Sequence, residues 1–216
     1  MSNFCSSSIG RKFFMSISGL FLMTFLLLHM SINLFIIFDP TGGLYNEAVH
    51  FMGTNPLIKI MEPILALGFI VHIIWGFMIE LQNKKARPAK YDVRKPAGSA
   101  ISRNMFIIGA LVLVFIALHM CQFLVPVKAA HFSGNESFNA FNMVVSTFKN
   151  PLFACLYLAA GILVSLHITH GFWSAFQTIG FSNKQWERRL NCVARIYAVI
   201  IAVGFCIIPI WVLLFF

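Results

Sequence analysis

Five of the chain's seven histidines, His29, His72, His119, His167 and His170, fall inside long apolar runs, whereas His50 and His131 sit in polar connecting segments. An imidazole can ligate a metal, relay a proton or make a structural hydrogen bond, and in hydrocarbon it needs a partner for any of these. One such residue says little. Here four successive apolar runs carry them, at two depths. At a helical rise of about 1.5 Å per residue, His29 lies roughly 27 Å beyond Arg11 and His119 roughly 24 Å beyond Arg103, in the outer half of a membrane. By the same rise, His72 lies about 18 Å from Lys84 and His167 about 16 Å from Thr178, in the inner half. The four make two level pairs, first run with third and second with fourth.

Local sequence pairs the same runs. Gly19 precedes His29-Met30 by ten residues, as Gly109 precedes His119-Met120. His72-Ile73-Ile74-Trp75-Gly76-Phe77 parallels His167-Ile168-Thr169-His170-Gly171-Phe172. The shared His-x-x-x-Gly-Phe pattern favours His167 over His170 as the chemical residue of the fourth run, with His170 as the alternative on part of the same face. Glycines at these positions let a backbone approach a flat group or a neighbouring helix closely, and ordinary helix packing would use them equally well.

Two neutral imidazoles at one level, without a third His or a carboxylate, suit neither a zinc site nor a copper cluster. They suit the two axial positions of haem iron, where the macrocycle supplies the other four ligands. The absence of Cys-x-x-Cys-His points to non-covalent, b-type haem. A six-coordinate iron has no position open to oxygen, so the chemistry is electron transfer. The five cysteines are scattered, which speaks against an iron–sulfur cluster, structural zinc or a disulfide framework.

The elements that must position these residues are apolar helices. The 216 residues are 59% hydrophobic and 11% charged, with mean hydropathy +0.82, too little charge to solvate the surface of a globular domain. A crossing needs about 20 apolar residues, and five stretches supply them, at roughly 12–38, 57–82, 104–125, 151–177 and 195–216. Asn before Pro56 and Asn before Pro151 mark helix starts. The expected fold is all-α, one polytopic bundle of five transmembrane helices over residues 1–216. The first apolar run is too long for a cleavable signal peptide.

The formal charge of +9 reads as orientation, not as nucleic-acid binding. Thirteen Lys and Arg fall at the N-terminus and in the 83–104 and 178–195 segments, against Lys59, Lys128 and Lys149 on the other side. The bias places the N-terminus in the cytoplasm and the C-terminus outside. It also gives a basic cytoplasmic face on which a soluble partner could dock.

With these residues in place, the whole chain resembles the single-chain, five-helix, dihaem cytochrome b subunit of succinate:menaquinone oxidoreductases and fumarate reductases. The resemblance is carried by Ser16-Ile17-Ser18-Gly19-Leu20-Phe21-Leu22 leading to His29, and by His50-Phe51-Met52. It continues with His72 before Gly76, Gly109 before His119, and His167 before Gly171-Phe172-Trp173-Ser174. It implies two haems b, the distal one on His29 and His119 and the proximal one on His72 and His167, with Ser16 near a proximal propionate. It further implies a bacterial inner-membrane location, menaquinone as substrate, and a flavoprotein and an iron–sulfur subunit docked on the cytoplasmic face, with a dimer of the complex as an option. Some members carry a glutamate two residues before the proximal ligand of the fourth helix, tied to proton movement; Ser165 stands there in this chain.

The chain holds no flavin fingerprint and no cluster-binding cysteines, so the dicarboxylate chemistry belongs to partners. Glu62, Asn33 and Gln122 are the polar candidates for a quinone near the outer level, with an interfacial pairing of Glu62 to Lys59 as the plainer reading. Cytochrome b subunits of formate dehydrogenases or hydrogenases form a rival reading. A haem-free transporter is a second, and it calls for binding-site helices broken at mid-membrane.

Overall fold

The computed structural model describes residues 7–86, 100–135, 137–181 and 183–216. Cys5 and four of the basic residues counted above, Arg87, Lys90, Arg94 and Lys95, lie outside them. Every regular element among the described residues is helical. Five helical segments are long and apolar enough to cross a membrane: Ile9–Phe38, Pro56–Lys85, Met105–Phe132, Pro151–Thr178 and Gln185–Phe215. The chain is a multi-pass helical membrane protein. Only helices with all backbone bonds satisfied internally, or closed barrels, cross the hydrocarbon.

The first span is α1 (Ser8–Asn33) continued by α2 (Phe35–Phe38), followed outside the core by α3 (Gly43–Thr54) and then by α4 (Pro56–Ala86), the second span. After α5 (Ala100–Arg103), the third span is built from α6 (Met105–His119), a π-helical turn over Met120–Leu124, and α7 (Val125–Phe132). Next come α8 (Ala140–Phe148), α9 (Pro151–Thr178) as the fourth span and α10 (Lys184–Phe215) as the fifth.

The starts follow capping rules. Asn55 Oδ1 accepts from the Leu57 amide at 2.9 Å, and Asn150 Oδ1 from that of Leu152 at 3.0 Å. Each satisfies an orphan donor beside a proline whose missing N–H costs nothing there. Asn183 caps α10 through the amides of Gln185 and Trp186. The fifth span therefore runs as helix from Lys184, eleven residues before the apolar stretch begins at 195, carrying Arg188, Arg189 and Arg195 on its polar extension.

The third span also runs longer than its apolar run suggests, because Pro126 does not end it. A proline inside a helix removes one donor and clashes with the carbonyl four residues back. The chain widens instead: the Val125 amide bonds the Met120 carbonyl five residues earlier, and the helix continues to Phe132.

Packing is centred on α9, which lies against α10, α1 and α6, while α1 also packs along α4. The first four spans form a four-helix bundle in which neighbours are α1–α4, α1–α9, α6–α9 and, loosely, α4–α6. Along the diagonals, α1 opposite α6 and α4 opposite α9, there is little direct contact. The fifth span clamps the α1–α9 side. Tyr197 on α10 donates its hydroxyl to the Met23 carbonyl of α1 at 2.6 Å, and Met30 lies on Gly204 of α10, where any Cβ would collide with its thioether.

Two helices that the apolar runs do not announce, α3 and α8, cover one end of the bundle. They are joined by Asn46, whose amide donates to Asn139 Oδ1 at 3.1 Å and whose carbonyl oxygen accepts from the Phe141 amide at 3.0 Å. Tyr45, Phe141, Val144, Val145 and Phe148 are buried there with Ile36, Ile208 and Val212; loss of water around the Tyr45 hydroxyl pushes its pKa up to about 12. The turn into α3 is built on Asp39, which receives the Thr41 hydroxyl at 2.6 Å and the amides of Thr41 and Leu44 at 3.0 and 2.9 Å. Gly42 follows at φ 78° with Phe141 packed on its α-carbon.

The opposite end gathers the basic side chains. Arg11 of α1 meets Gln82 of α4 once the Gln82 amide is turned to present its oxygen, and Lys84 lies 5.0 Å over the ring of Phe106. Described basic residues of α1, α4, α5 and α10 therefore share one end, with Lys59, Lys128 and Lys149 toward the other.

Two outcomes test this cap. Gly42→Ala adds a left-handed strain of about 1–2 kcal/mol and a clash with Phe141 of similar size; thermal unfolding in detergent should fall, and proteolysis between 38 and 55 should rise. The Thr41 hydroxyl, then the Leu44 amide, hold the Asp39 carboxyl below its usual pKa. A depressed carboxylate stabilises the fold above its unfolded pKa of about 4 and loses that stabilisation as pH falls through the folded value. Proteolysis of the turn should thus be unchanged from pH 7 to 5 and rise only in stronger acid.

Candidate functional site

The four paired histidines point into the bundle along its diagonals. His29 of α1 and His119 of α6 face each other with ring centroids 5.6 Å apart and planes at 87°. His72 of α4 and His167 of α9 do the same at 6.2 Å and 70°. Their backbones stand too far apart to pack, so only the imidazoles reach across. His167, not His170, supplies the ring opposite His72. His50 and His131 are exposed on α3 and α7.

The two halves of the bundle are built alike. Phe25 stacks on His29 at 5.5 Å and Phe115 lies on His119 at 5.9 Å, each four residues before the histidine it touches. The glycines serve the other pair. A Cβ on Gly19 of α1 would lie 3.4 Å from His72 Cε1, and a Cβ on Gly109 of α6 would lie 3.3 Å from His167 Cε1. Ten residues of helix separate each glycine from the histidine below it in sequence, or about 15 Å, which sets the spacing of the two pairs. Met15 and Met105, four residues before those glycines, rest their methyl groups 3.3 and 3.9 Å from where Cβ atoms of Gly76 and Gly171 would be. A Cβ at Gly19, Gly76 or Gly109 would be in tight contact with an imidazole or a thioether, so larger side chains are disfavoured there, whereas one at Gly171 would make ordinary contact.

Hydroxyl groups stand behind two of the four rings. Ser18 Oγ lies 3.4 Å from His72 Nδ1, and Tyr157 Oη lies 3.4 Å from His119 Nδ1. Among the described residues, no hydrogen-bond partner reaches the buried Nδ1 of His167 or the buried indole nitrogen of Trp75.

The residues present fit a haem at each pair. With metal–imidazole bonds of about 2 Å and a ring radius of about 1 Å, two trans ligands place their centroids about 6 Å apart, close to both observed separations. Among the described residues no three His, Cys, Asp or Glu side chains converge.

The other expected residues fall in different surroundings. Ser16 is buried and donates to the Lys12 carbonyl at 2.9 Å within its own helix. Asn33 donates to the carbonyl of His29 at 2.8 Å. Gln122 accepts the Tyr157 hydroxyl at 2.7 Å beside His119. Glu62 pairs with Lys128 of α7 at 2.6 Å rather than with Lys59. Ser165 is buried, its hydroxyl on the Gly161 carbonyl at 2.8 Å. Tyr157 had no warning in the sequence beyond lying ten residues before His167, the place Glu62 holds before His72.

If the glycines are required by the imidazoles, Gly19→Leu and Gly109→Leu should each lower stability by about 1–3 kcal/mol through overpacking. Gly53→Leu, where a Cβ meets nothing within 4 Å, should stay within about 0.5 kcal/mol; thermal unfolding of the three variants in one detergent separates the cases.

Compared with known proteins, the chain matches no family model, no curated protein and no solved structure.

Proposed function

We propose that this chain is the membrane-anchor cytochrome b subunit of a succinate dehydrogenase or fumarate reductase complex. It would carry electrons through two bis-histidine b haems between a quinone, menaquinone by the resemblance, and a cytoplasmic flavoprotein and iron–sulfur pair. The observation that carries the reading is the pair of histidines on each diagonal of the four-helix bundle, with ring centroids 5.6 and 6.2 Å apart, a separation that would let both imidazoles of a pair hold one metal. His29 and His119 would hold the outer haem, and His72 and His167 the inner one. A six-coordinate haem iron, when bound, takes up and passes on single electrons and offers no open position to a substrate.

The chain's own groups supply the rest. Gly19 and Gly109 give the inner imidazoles room, and Phe25 stacks on His29 while Phe115 lies tilted against His119 in the apolar interior. Phe123 and Phe148 flank Tyr157 at 5.8 and 5.0 Å and keep water from the outer site. The quinone belongs at the outer level, where Gln122 and Asn33 offer hydrogen-bonding groups. Glu62 precedes His72 by ten residues, about 15 Å of helix, so it shares that level and can exchange a proton while Lys128 balances its charge. The basic end, by the positive-inside rule, faces the cytoplasm of a bacterial inner membrane and receives the partner subunits.

Purified protein should show two haems b per chain in a pyridine haemochrome assay, with bis-imidazole EPR signals. His29→Ala or His119→Ala should remove one haem, and His72→Ala or His167→Ala the other. Protein that contains no haem after expression with ample haem supply overturns the reading. Co-purification with a formate dehydrogenase or hydrogenase subunit instead keeps the haems and overturns the succinate assignment.

A further inference from the structure

We propose that Ser18 and Tyr157 are positioning residues, each holding one axial imidazole of one pair in the tautomer that presents Nε2 to a metal. The inference rests on the haem reading and adds what sets the character of each ligand. The argument is one of proton accounting. A hydroxyl carries a single hydrogen and two lone pairs. Ser18 Oγ commits its hydrogen to the Met15 carbonyl at 3.0 Å, so toward His72 Nδ1 at 3.4 Å it presents lone pairs. Tyr157 Oη commits its hydrogen to Gln122 Oε1 at 2.7 Å, so toward His119 Nδ1 at 3.4 Å it too presents lone pairs. Both imidazoles must then carry their proton on Nδ1, which leaves the Nε2 lone pair for the metal.

Neither hydroxyl can turn away. Ser18 is buried, on the same helical turn as Gly19, whose missing side chain admits His72. Tyr157 is wedged between Phe115 and Phe148, with centroids at 5.0 Å on both sides. The contacts are long for hydrogen bonds, and a small rotation of either ring shortens them. The Met15 carbonyl also lies against His72 and can only accept, which asks for the same tautomer. Across the inner pair, His167 Nδ1 has no such partner. The hydroxyl therefore distinguishes two otherwise equivalent ligands.

A hydrogen bond from Nδ1–H makes an imidazole a stronger donor and favours the oxidised metal. Removing the acceptor should raise the midpoint potential of that haem alone. Ser18→Ala and Tyr157→Phe each delete one oxygen and keep the packing, so a purely structural role would leave both potentials unmoved.

The experiment is a spectroscopically resolved redox titration of the purified full chain with its partner subunits, wild type beside the two variants, with EPR of the oxidised forms. Both haems should be retained. Tyr157→Phe should shift one haem upward, and Ser18→Ala should shift the other by less, because the Met15 carbonyl remains. Wild-type potentials and g-values in both variants, or equal shifts of both haems in either, overturn the proposal while leaving the haem reading intact. A wild-type protein without haem overturns both. Should Tyr157→Phe fail to accumulate, Gln122→Leu, which frees the phenol hydrogen to turn on the imidazole, carries the same expectation for the same haem.

Discussion

An imidazole inside a hydrocarbon slab has two nitrogens to satisfy and no water with which to do it. Much of this bundle follows from housing four such rings, two of which have a hydroxyl beside Nδ1. Each of the four rings reaches toward the bundle axis, so the helices that carry them stand on opposite corners and cannot pack on each other. The helices between must then approach closely, and they do so at Gly19 and Gly109, where the backbone of one corner passes against the imidazole of the next. A side chain longer than alanine at either position would push on the ring of His72 or His167, whose Cε1 lies 3.4 or 3.3 Å from where a Cβ would be.

The same demand explains the fifth span. Four helices that point polar rings inward and meet only along some edges have an incomplete shell. The last helix closes the edge between the first and fourth, through Met30 seated on Gly204 and the Tyr197 hydroxyl on the Met23 carbonyl. It brings no histidine. Its contribution is to hold fixed the two helices that present one ligand to each pair.

Much of this could be read from the chain. Apolar length gave five spans, since any helix crossing hydrocarbon must be nearly uncharged over about 20 residues. The two depths of His29, His72, His119 and His167 came from helical rise alone, which is insensitive to side-chain detail. What failed to appear was set by contacts distant in sequence. That Glu62 meets Lys128 and not Lys59 depends on how the third span is rotated. The interfacial helices α3 and α8 are short and half-buried, and their apolar residues are covered by each other and by the ends of α2 and α10. Tyr157 looks like an ordinary aromatic of an apolar run until α6 is laid beside α9. The glycines were visible as a repeat, but which histidine each one serves was not: the ring it admits lies on a neighbouring helix, ten residues away from the histidine that shares its own.

The π turn after His119 has a consequence for how the two halves may be compared. Up to His119 the third span keeps step with the first: Gly19 with Gly109, Phe25 with Phe115, His29 with His119, each pair 90 positions apart. A π turn amounts to one residue inserted into an α-helix, and one residue turns everything beyond it by about 100° about the helix axis. The common numbering therefore ends at that point. Shorten the turn by one residue and Lys128 is carried about 100° around the helix axis from Glu62, while Gln122 and Phe123, which lie in the turn against Tyr157 and His119, are re-aimed with it. The Glu62–Lys128 pair beyond the turn and the contacts around His119 therefore depend on one register, and a single insertion or deletion there would disturb both.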